Sequence, residues 1–175
     1  MKKLNITYLA ISEKFGDMHA GFTHSFNITK HLGALCKLNV FFSNKKVGFL
    51  KKINDAEYHG VIFPSTRSVL RISEFFKSYA YVKKLVKNSN LINERFHVNP
   101  IDLLFLGKKP YILEINDPAM VLHNNIIYSF LIKLKLKRCK YIVTQTKTLK
   151  NILSKHTNKE IYVVPNGVDT LEFRP

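Results

Sequence analysis

The sequence predicts an α/β protein in which helices cover both faces of a mostly parallel β-sheet. Short runs rich in β-branched and aromatic residues alternate with longer amphipathic segments along the 175 residues. Such alternation is typical of successive βαβ units. A hydrophobic fraction of 46% is enough for a buried core,. We therefore predict one Rossmann-like three-layer sandwich with about seven strands, without internal repeats or a linker before residue 165.

Composition predicts the strands, and periodicity predicts the helices. Predicted strands cover residues 4–11, 38–42, 60–63, 91–93, 111–115, 141–144 and 161–164. Predicted helices cover residues 21–35, 69–86, 101–106, 125–138 and 146–154. The second helix has the clearest pattern, because an apolar stripe at three-to-four spacing is largely separated from its basic residues. The stripe comprises Val69, Ile72, Phe76, Tyr79, Val82 and Val86. Residues 43–60 give the least certain pattern.

The charge indicates an acidic partner. Twenty-eight basic and 12 acidic residues give a net charge of +16. Nucleic acid, an anionic membrane face and phosphate-bearing substrates all fit this charge, which does not choose among them. Nucleic acid is the weakest of the three, because no zinc-finger, helix-turn-helix or RNA-binding aromatic motif accompanies the charge.

Cysteine usage and hydropathy narrow the location. Cys36 and Cys139 are the two cysteines, far apart in sequence, so neither a disulfide framework nor a metal cluster is predicted,. No window reaches the roughly 18 apolar residues of a membrane span. We expect a cytoplasmic protein, with peripheral binding to the inner face of the cell membrane as an option that the charge leaves open.

The loop after the first predicted strand is the first candidate ligand contact. Gly16 and Gly21 would let the backbone pass close to a ligand,. The helix that follows would then direct its N–H groups and positive end at an anion. His24 lies early in that helix and is a candidate ligand contact; alternatively, it faces the core or solvent. His19 is interpreted as a loop residue without a role.

Polar residues also follow two central strands. Glu94 and Arg95 follow the fourth predicted strand, at its carboxyl end, where they could grip a sugar hydroxyl or a phosphate, or pair with each other or with neighbours,. Glu114 lies within an apolar strand, which is costly unless the carboxylate is paired or at a wet edge,. Asn116 and Asp117 form a turn after it, and a cap for the next helix is the structural alternative.

The last third of the chain adds three features. Thr146 is placed as a helix N-cap that could face the cleft, although capping alone explains it,. Residues 125–140 mix apolar and basic side chains, so that helix could lie on an anionic membrane or pack on the sheet with a solvated basic face. Pro165 ends the final strand, and Asn166-Gly167 is a turn dipeptide at the sheet's carboxyl edge, where open α/β sheets bind ligands,.

Four segments resemble glycosyltransferase family 4. The end of the chain, Val164 to Pro175, is similar to the family signature V-P-N-G-V-D-x-x-x-F-x-P. Residues 110–118 resemble its P-x-[VI]-[LF]-E-[VI]-[NH]-D strand, with Asn116-Asp117 where many members carry a histidine. Residues 141–150 resemble the segment in which Thr146 replaces the usual serine, and residues 93–96 resemble an x-E-R-[FY] turn. The tandem glycine usual in the first loop is missing, since Gly21 has no glycine next to it.

This resemblance implies the N-terminal, acceptor-binding half of a GT-B enzyme. Residues 1–164 would form the acceptor-side domain and residues 165–175 the start of the interdomain linker, with the donor domain absent from this chain. The implied reaction moves a sugar from a nucleotide-sugar donor to an acceptor, with retention at the anomeric carbon and without a metal or other cofactor. The missing domain would supply most donor contacts, so the isolated chain is expected to be inactive.

The resemblance also suggests site residues and partners. Asp117 is the candidate acceptor base, and the expected substrate contacts are Gly16, Gly21, His24, Glu94, Arg95, Glu114, Asn116, Thr146, Asn166 and Gly167. The acceptor is expected to be anionic or lipid-linked, given the positive charge. A stand-alone basic module, either a subunit of a split enzyme or a nucleic-acid binder, is the alternative.

Overall fold

The computed structural model describes residues 3–17, 19–62, 72–96, 107–117 and 126–165. Within these ranges it contains eight strands and four helices. In chain order they are β1 (Asn5–Lys14), α1 (Ala20–Leu35), β2 (Lys37–Ser43), β3 (Gly48–Ile53), β4 (Ala56–Val61), α2 (Ile72–Val86), β5 (Leu91–Arg95), β6 (Tyr111–Glu114), α3 (Ile126–Arg138), β7 (Tyr141–Thr144), α4 (Lys147–Leu153) and β8 (Glu160–Val163).

All eight strands belong to one sheet in the order β3-β4-β2-β1-β5-β6-β7-β8. Every neighbouring pair is parallel except β3 and β4, which form an antiparallel hairpin at one edge. The predicted fold class, a mostly parallel α/β sheet with a helix layer on each face, is confirmed. Parallel strands direct their carboxyl ends to the same edge, so this topology gathers the loops that follow β1, β5, β6 and β7.

The hairpin corrects the predicted strand count of about seven, because β3 was not predicted. Strand β3 lies within residues 43–60, the region with the least certain pattern. A register shift between Phe49 and Lys51 breaks the alternation by which a strand is recognised,. Asn54 makes the turn with φ of 52°, a left-handed conformation that asparagine tolerates,. The predicted strand at residues 60–63 is instead β4, which begins at Ala56 and ends at Val61.

The two faces of the sheet carry different helix layers. One core cluster packs α1 against the sheet and includes Tyr8, Phe42 and Tyr58. The other packs α2, α3 and α4 against the opposite face, through residues such as Val82, Ile132 and Leu149. Strand alternation sends successive side chains to opposite faces, so β1, β2 and β4 contribute to both clusters, whereas β5 to β8 contribute only to the second,.

Helix α2 confirms only part of its predicted stripe. Val82 and Val86 are buried in the core. Phe76 is exposed, contrary to the prediction, because the buried row runs through Ser78, Val82 and Val86 and Phe76 lies on the other side of the helix,. Val69 and the predicted helix at residues 101–106 lie outside the described residues. None of the helices in the described part of the chain is both long and apolar enough to cross a membrane.

Candidate functional site

A cleft lies at the carboxyl edge of the sheet, beside the first turns of α1. One part encloses about 350 Å³ and is lined by residues including Glu13, Arg95, Glu114 and Asp117. The adjoining part encloses about 620 Å³ and runs along α1 over the ends of β5 to β8. Both parts are lined by Ala20, His24, Glu114, Asn116 and Gln145. The cleft therefore forms where the fold predicts a ligand site.

Glu114 is the centre of the cleft's hydrogen-bond network. Its Oε1 accepts hydrogen bonds from Asn116 Nδ2 at 2.6 Å and Arg95 Nη1 at 3.4 Å, and lies 3.1 Å from His24 Nε2. Its Oε2 accepts a hydrogen bond from the Tyr8 hydroxyl at 2.8 Å. These contacts hold the carboxylate in one orientation at the sheet edge.

The network favours the ionised form of Glu114. Burial opposes ionisation, but hydrogen bonds from His24, Tyr8 and Asn116, together with the charge of Arg95, outweigh it and lower the pKa of Glu114,. The same contact acts in the other direction on Tyr8, whose pKa is raised well above its ordinary value by burial and by the Glu114 carboxylate. Glu114 is therefore a hydrogen-bond acceptor at neutral pH, and Tyr8 is a donor.

Arg95 joins two strands across the cleft floor. Its Nε donates to Glu13 Oε1 at 3.2 Å, while Nη1 reaches Glu114. Of the two alternatives for this side chain, the structure shows pairing with neighbours, although Arg95 still lines the cavity. Its charge is offset by two carboxylates, so the cluster of Glu13, Arg95 and Glu114 carries no excess positive charge.

Gly21 lines the cleft, but its missing side chain makes room for a protein group. The carboxylate of Glu13 occupies the space that a Cβ at Gly21 would take. Just before it, His19 caps α1, its Nδ1 accepting a hydrogen bond from the backbone N–H of Gly21 at 3.1 Å. The start of α1 therefore faces the chain's own anion, Glu13, and His19 has a capping role that the sequence left open.

Glu94 does not reach the cleft. Strand β5 extends to Arg95, two residues beyond the prediction, so Glu94 and Arg95 point to opposite faces,. The Glu94 side chain is fully buried, where it accepts hydrogen bonds from Lys135 Nζ at 2.5 Å and from the Tyr111 hydroxyl at 2.5 Å. Lys135, predicted to lie on the basic outer side of its helix, is also fully buried.

The remaining predicted residues lie in different places. Asp117 is exposed at the rim of the cavity. Gly16 adopts a positive φ of 79° in the turn after β1 and is not among the residues that line either part of the cleft. Thr146 is the N-cap of α4, its hydroxyl accepting from Leu149 N at 3.1 Å, as the capping interpretation predicts. Asn166 and Gly167 lie outside the described residues.

Two amide oxygens beside the cavity have unused hydrogen-bonding capacity. Within the described ranges, Asn93 Oδ1 and Asn116 Oδ1 are buried and accept no hydrogen bond. A buried acceptor without a donor costs roughly 1–3 kcal/mol. Both residues line the larger part of the cleft.

The cleft residues that sequence reasoning missed include three polar ones at strand ends, namely Glu13, Asn93 and Gln145. All three lie at or next to the carboxyl end of a parallel strand. Extending β1 to Lys14 would have identified Glu13, and Gln145 directly follows β7. Among the residues that the structure describes, no group of three or more His, Cys, Asp or Glu side chains could hold a metal ion.

Comparison with known proteins places the fold. No protein-family model matches the sequence, and no curated protein matches it significantly. The structure resembles sucrose-phosphate synthase from Thermosynechococcus elongatus with a TM-score of 0.70 and 8% identity, over 99% of this chain and 50% of that one. It resembles an E. coli trehalose-6-phosphate synthase, bound with UDP-2-fluoro glucose, with a TM-score of 0.55 and 12% identity, over 96% of this chain and 50% of that one.

A second structure of the sucrose-phosphate synthase matches with a TM-score of 0.61 and 9% identity, over 94% of this chain and 90% of that one. The chain spans about half the length of the first sucrose-phosphate synthase chain and about half that of the trehalose-6-phosphate synthase chain. Both are GT-B glycosyltransferases. The protein therefore has the fold of a GT-B glycosyltransferase domain.

Proposed function

We propose that this chain is the N-terminal, acceptor-binding domain of a retaining glycosyltransferase of the family 4 type. The observation that carries the proposal is the Glu114 cluster, which lies in a cleft at the carboxyl edge of a GT-B domain. The four sequence segments that resemble family 4 support it independently. The donor is a nucleotide sugar bound mainly by a second domain, and the acceptor lies against the cleft described here.

Glu114 is suited to binding a sugar hydroxyl. Its lowered pKa keeps it ionised, and a carboxylate that accepts hydroxyl hydrogen bonds orients its ligand strongly,. Asn93 and Asn116 line the same cleft with Glu114 and carry side-chain amide groups,. These three residues are the proposed acceptor contacts, with His24, Arg95 and Tyr8 as positioning residues for Glu114.

Asp117 is the proposed acceptor base. In the transfer step, an acceptor oxygen forms a bond to the anomeric carbon while the bond between that carbon and the donor phosphate breaks. The acceptor hydroxyl loses a proton, and the exposed carboxylate of Asp117 at the cavity rim is a group that can take it,. The leaving nucleotide diphosphate departs with the electron pair of the broken bond.

The first test is the size of the native polypeptide, by immunoblot of its source cells with an antibody against this domain. A band at about twice 20.3 kDa or more supports a two-domain enzyme, and that protein is then assayed with nucleotide sugars. We expect transfer with retention, reduced by Asp117→Asn and Glu114→Gln. The proposal would be refuted if the band were at 20.3 kDa and immunoprecipitation of that protein recovered no partner with a donor site.

A further inference from the structure

Helix α3 has apolar side chains on both its inner and its outer side. Ile132 and Leu136 are buried against the sheet. Phe130 and Leu134, one turn apart, are 59% and 37% exposed on the other side,. Large side chains at such exposure are costly in water when they adjoin one another, and contiguous exposed apolar surface marks an interaction site.

Lysines flank this apolar pair. Lys133 and Lys137 are exposed and lie three residues after Phe130 and Leu134, on the same side of the helix,. We define the outer face of α3 by these four residues: Phe130, Lys133, Leu134 and Lys137. Neither α3 nor α4 contains an acidic residue, so no carboxylate on these two helices offsets the charge.

The same helix layer adds further positive charge. Exposed lysines on the C-terminal half of α2 (Lys83 and Lys84) and on α4 (Lys147 and Lys150) belong to the layer on this side of the sheet. Helix α1, on the opposite side, contains one lysine, Lys30. Among the described helices, the basic residues are therefore concentrated on the α3 side of the sheet.

We propose that the outer face of α3 binds the surface of an anionic lipid bilayer. Phe130 and Leu134 enter the boundary between headgroups and acyl chains, while Lys133 and Lys137 extend along them to lipid phosphates. This combination of apolar anchors and flanking lysines favours a membrane over nucleic acid, which would use the charge but not the apolar pair. The inference does not depend on the proposed sugar transfer.

A single-tryptophan experiment tests insertion directly, because the chain contains no tryptophan. We compare Phe130→Trp with Phe49→Trp, since Phe49 is 58% exposed but lies on the edge strand β3. Vesicles of phosphatidylcholine with phosphatidylglycerol are compared with phosphatidylcholine alone. We expect a blue shift of tryptophan emission only at position 130 and only with anionic vesicles. No shift at position 130, or equal shifts at both positions, would overturn the proposal.

Vesicle co-sedimentation at ~0.15 M salt tests the charge. The double variant Lys133→Gln/Lys137→Gln is compared with Lys45→Gln/Lys46→Gln, which removes the same charge from the exposed loop between β2 and β3. Each lysine near an anionic bilayer contributes a factor of about five, so we expect about 25-fold weaker binding for the first variant and less than about fivefold for the second. Equal losses of vesicle affinity in the two double variants would contradict the proposal. Release of the protein from the vesicles by duplex RNA, added at the same total charge as the anionic lipid, would contradict it as well.

Discussion

Glu94 and Glu114 are two buried glutamates on neighbouring strands, and their surroundings are closely parallel. Each accepts a hydrogen bond from a tyrosine hydroxyl and contacts a basic side chain: Tyr111 and Lys135 for Glu94, Tyr8 and Arg95 for Glu114. Glu94 faces the α3 layer and is closed off from solvent, whereas Glu114 faces the cleft. The side of the sheet therefore decides which carboxylate is structural and which can meet a ligand.

The largest expected effect on stability is at Glu94, the carboxylate that is closed off from solvent. Lys135→Met leaves the Glu94 carboxylate buried without its counter-ion, so we expect a loss of about 3–5 kcal/mol in the free energy of unfolding. Urea denaturation measures this loss. The double variant Glu94→Leu/Lys135→Met is the control, because it removes both charges and should recover most of the stability. A single variant as stable as the native chain would show that Glu94 is not held as an ion.

The two tyrosines form a matched pair of intermediate size. Tyr111→Phe and Tyr8→Phe each remove one hydroxyl that donates to a buried carboxylate. We expect a loss of about 2 kcal/mol for Tyr111→Phe, as for a hydrogen bond to a charged group. Tyr8→Phe should cost only about 1 kcal/mol, because Glu114 keeps His24, Arg95 and Asn116,. Thermal or urea unfolding compares them, and the reverse order would contradict the comparison.

The smallest expected effect is a pH dependence of the stability that Glu114, the carboxylate facing the cleft, contributes. The pKa of Glu114 is lowered by folding, so the stability it contributes is present above its unfolded value of 4.5 and is lost as pH falls through the lower folded pKa,. Glu114→Gln should therefore be less stable than the native chain at pH 7 by about 1 kcal/mol. The difference in stability between Glu114→Gln and the native chain should shrink in acid. Unfolding curves measured from pH 7 to below the folded pKa of Glu114 would show this. A gap that stays constant would mean that Glu114 contributes no ionic stabilisation.

Strand alternation also explains how much of this arrangement the sequence predicts. The fold class follows from the alternation of apolar runs and amphipathic segments, and Glu114 is recognised because a charged residue interrupts an apolar strand. The prediction for Glu94 is wrong because the predicted strand stops at Asn93, whereas the real strand continues to Arg95 and its alternation turns Glu94 to the face opposite Arg95,. Lys135 was placed outside for a related reason, since apolar residues on both sides of α3 obscure its inner side.

Other features depend on contacts that no local pattern encodes. The role of Gly21 depends on Glu13, eight residues earlier in the sequence, whose carboxylate fills the space of its missing side chain. The Tyr8–Glu114 hydrogen bond joins residues 106 positions apart. Such pairs require the strand order, which periodicity does not give. Thr146, in contrast, was predictable as a cap because the signal lies within three residues.

The most direct test of the account is whether the Glu114 side of the sheet, and not the Glu94 side, binds a sugar. The isotope-labelled chain would be titrated by NMR with neutral monosaccharides and sugar phosphates. We predict shifts in the side-chain amide signals of Asn93, Asn116 and Gln145, no shift at the backbone amide of Cys139 beside Lys135, and at least about tenfold weaker binding in Glu114→Gln. Unchanged amide signals, or equal binding by Glu114→Gln, would contradict the assignment of this cleft as an acceptor site.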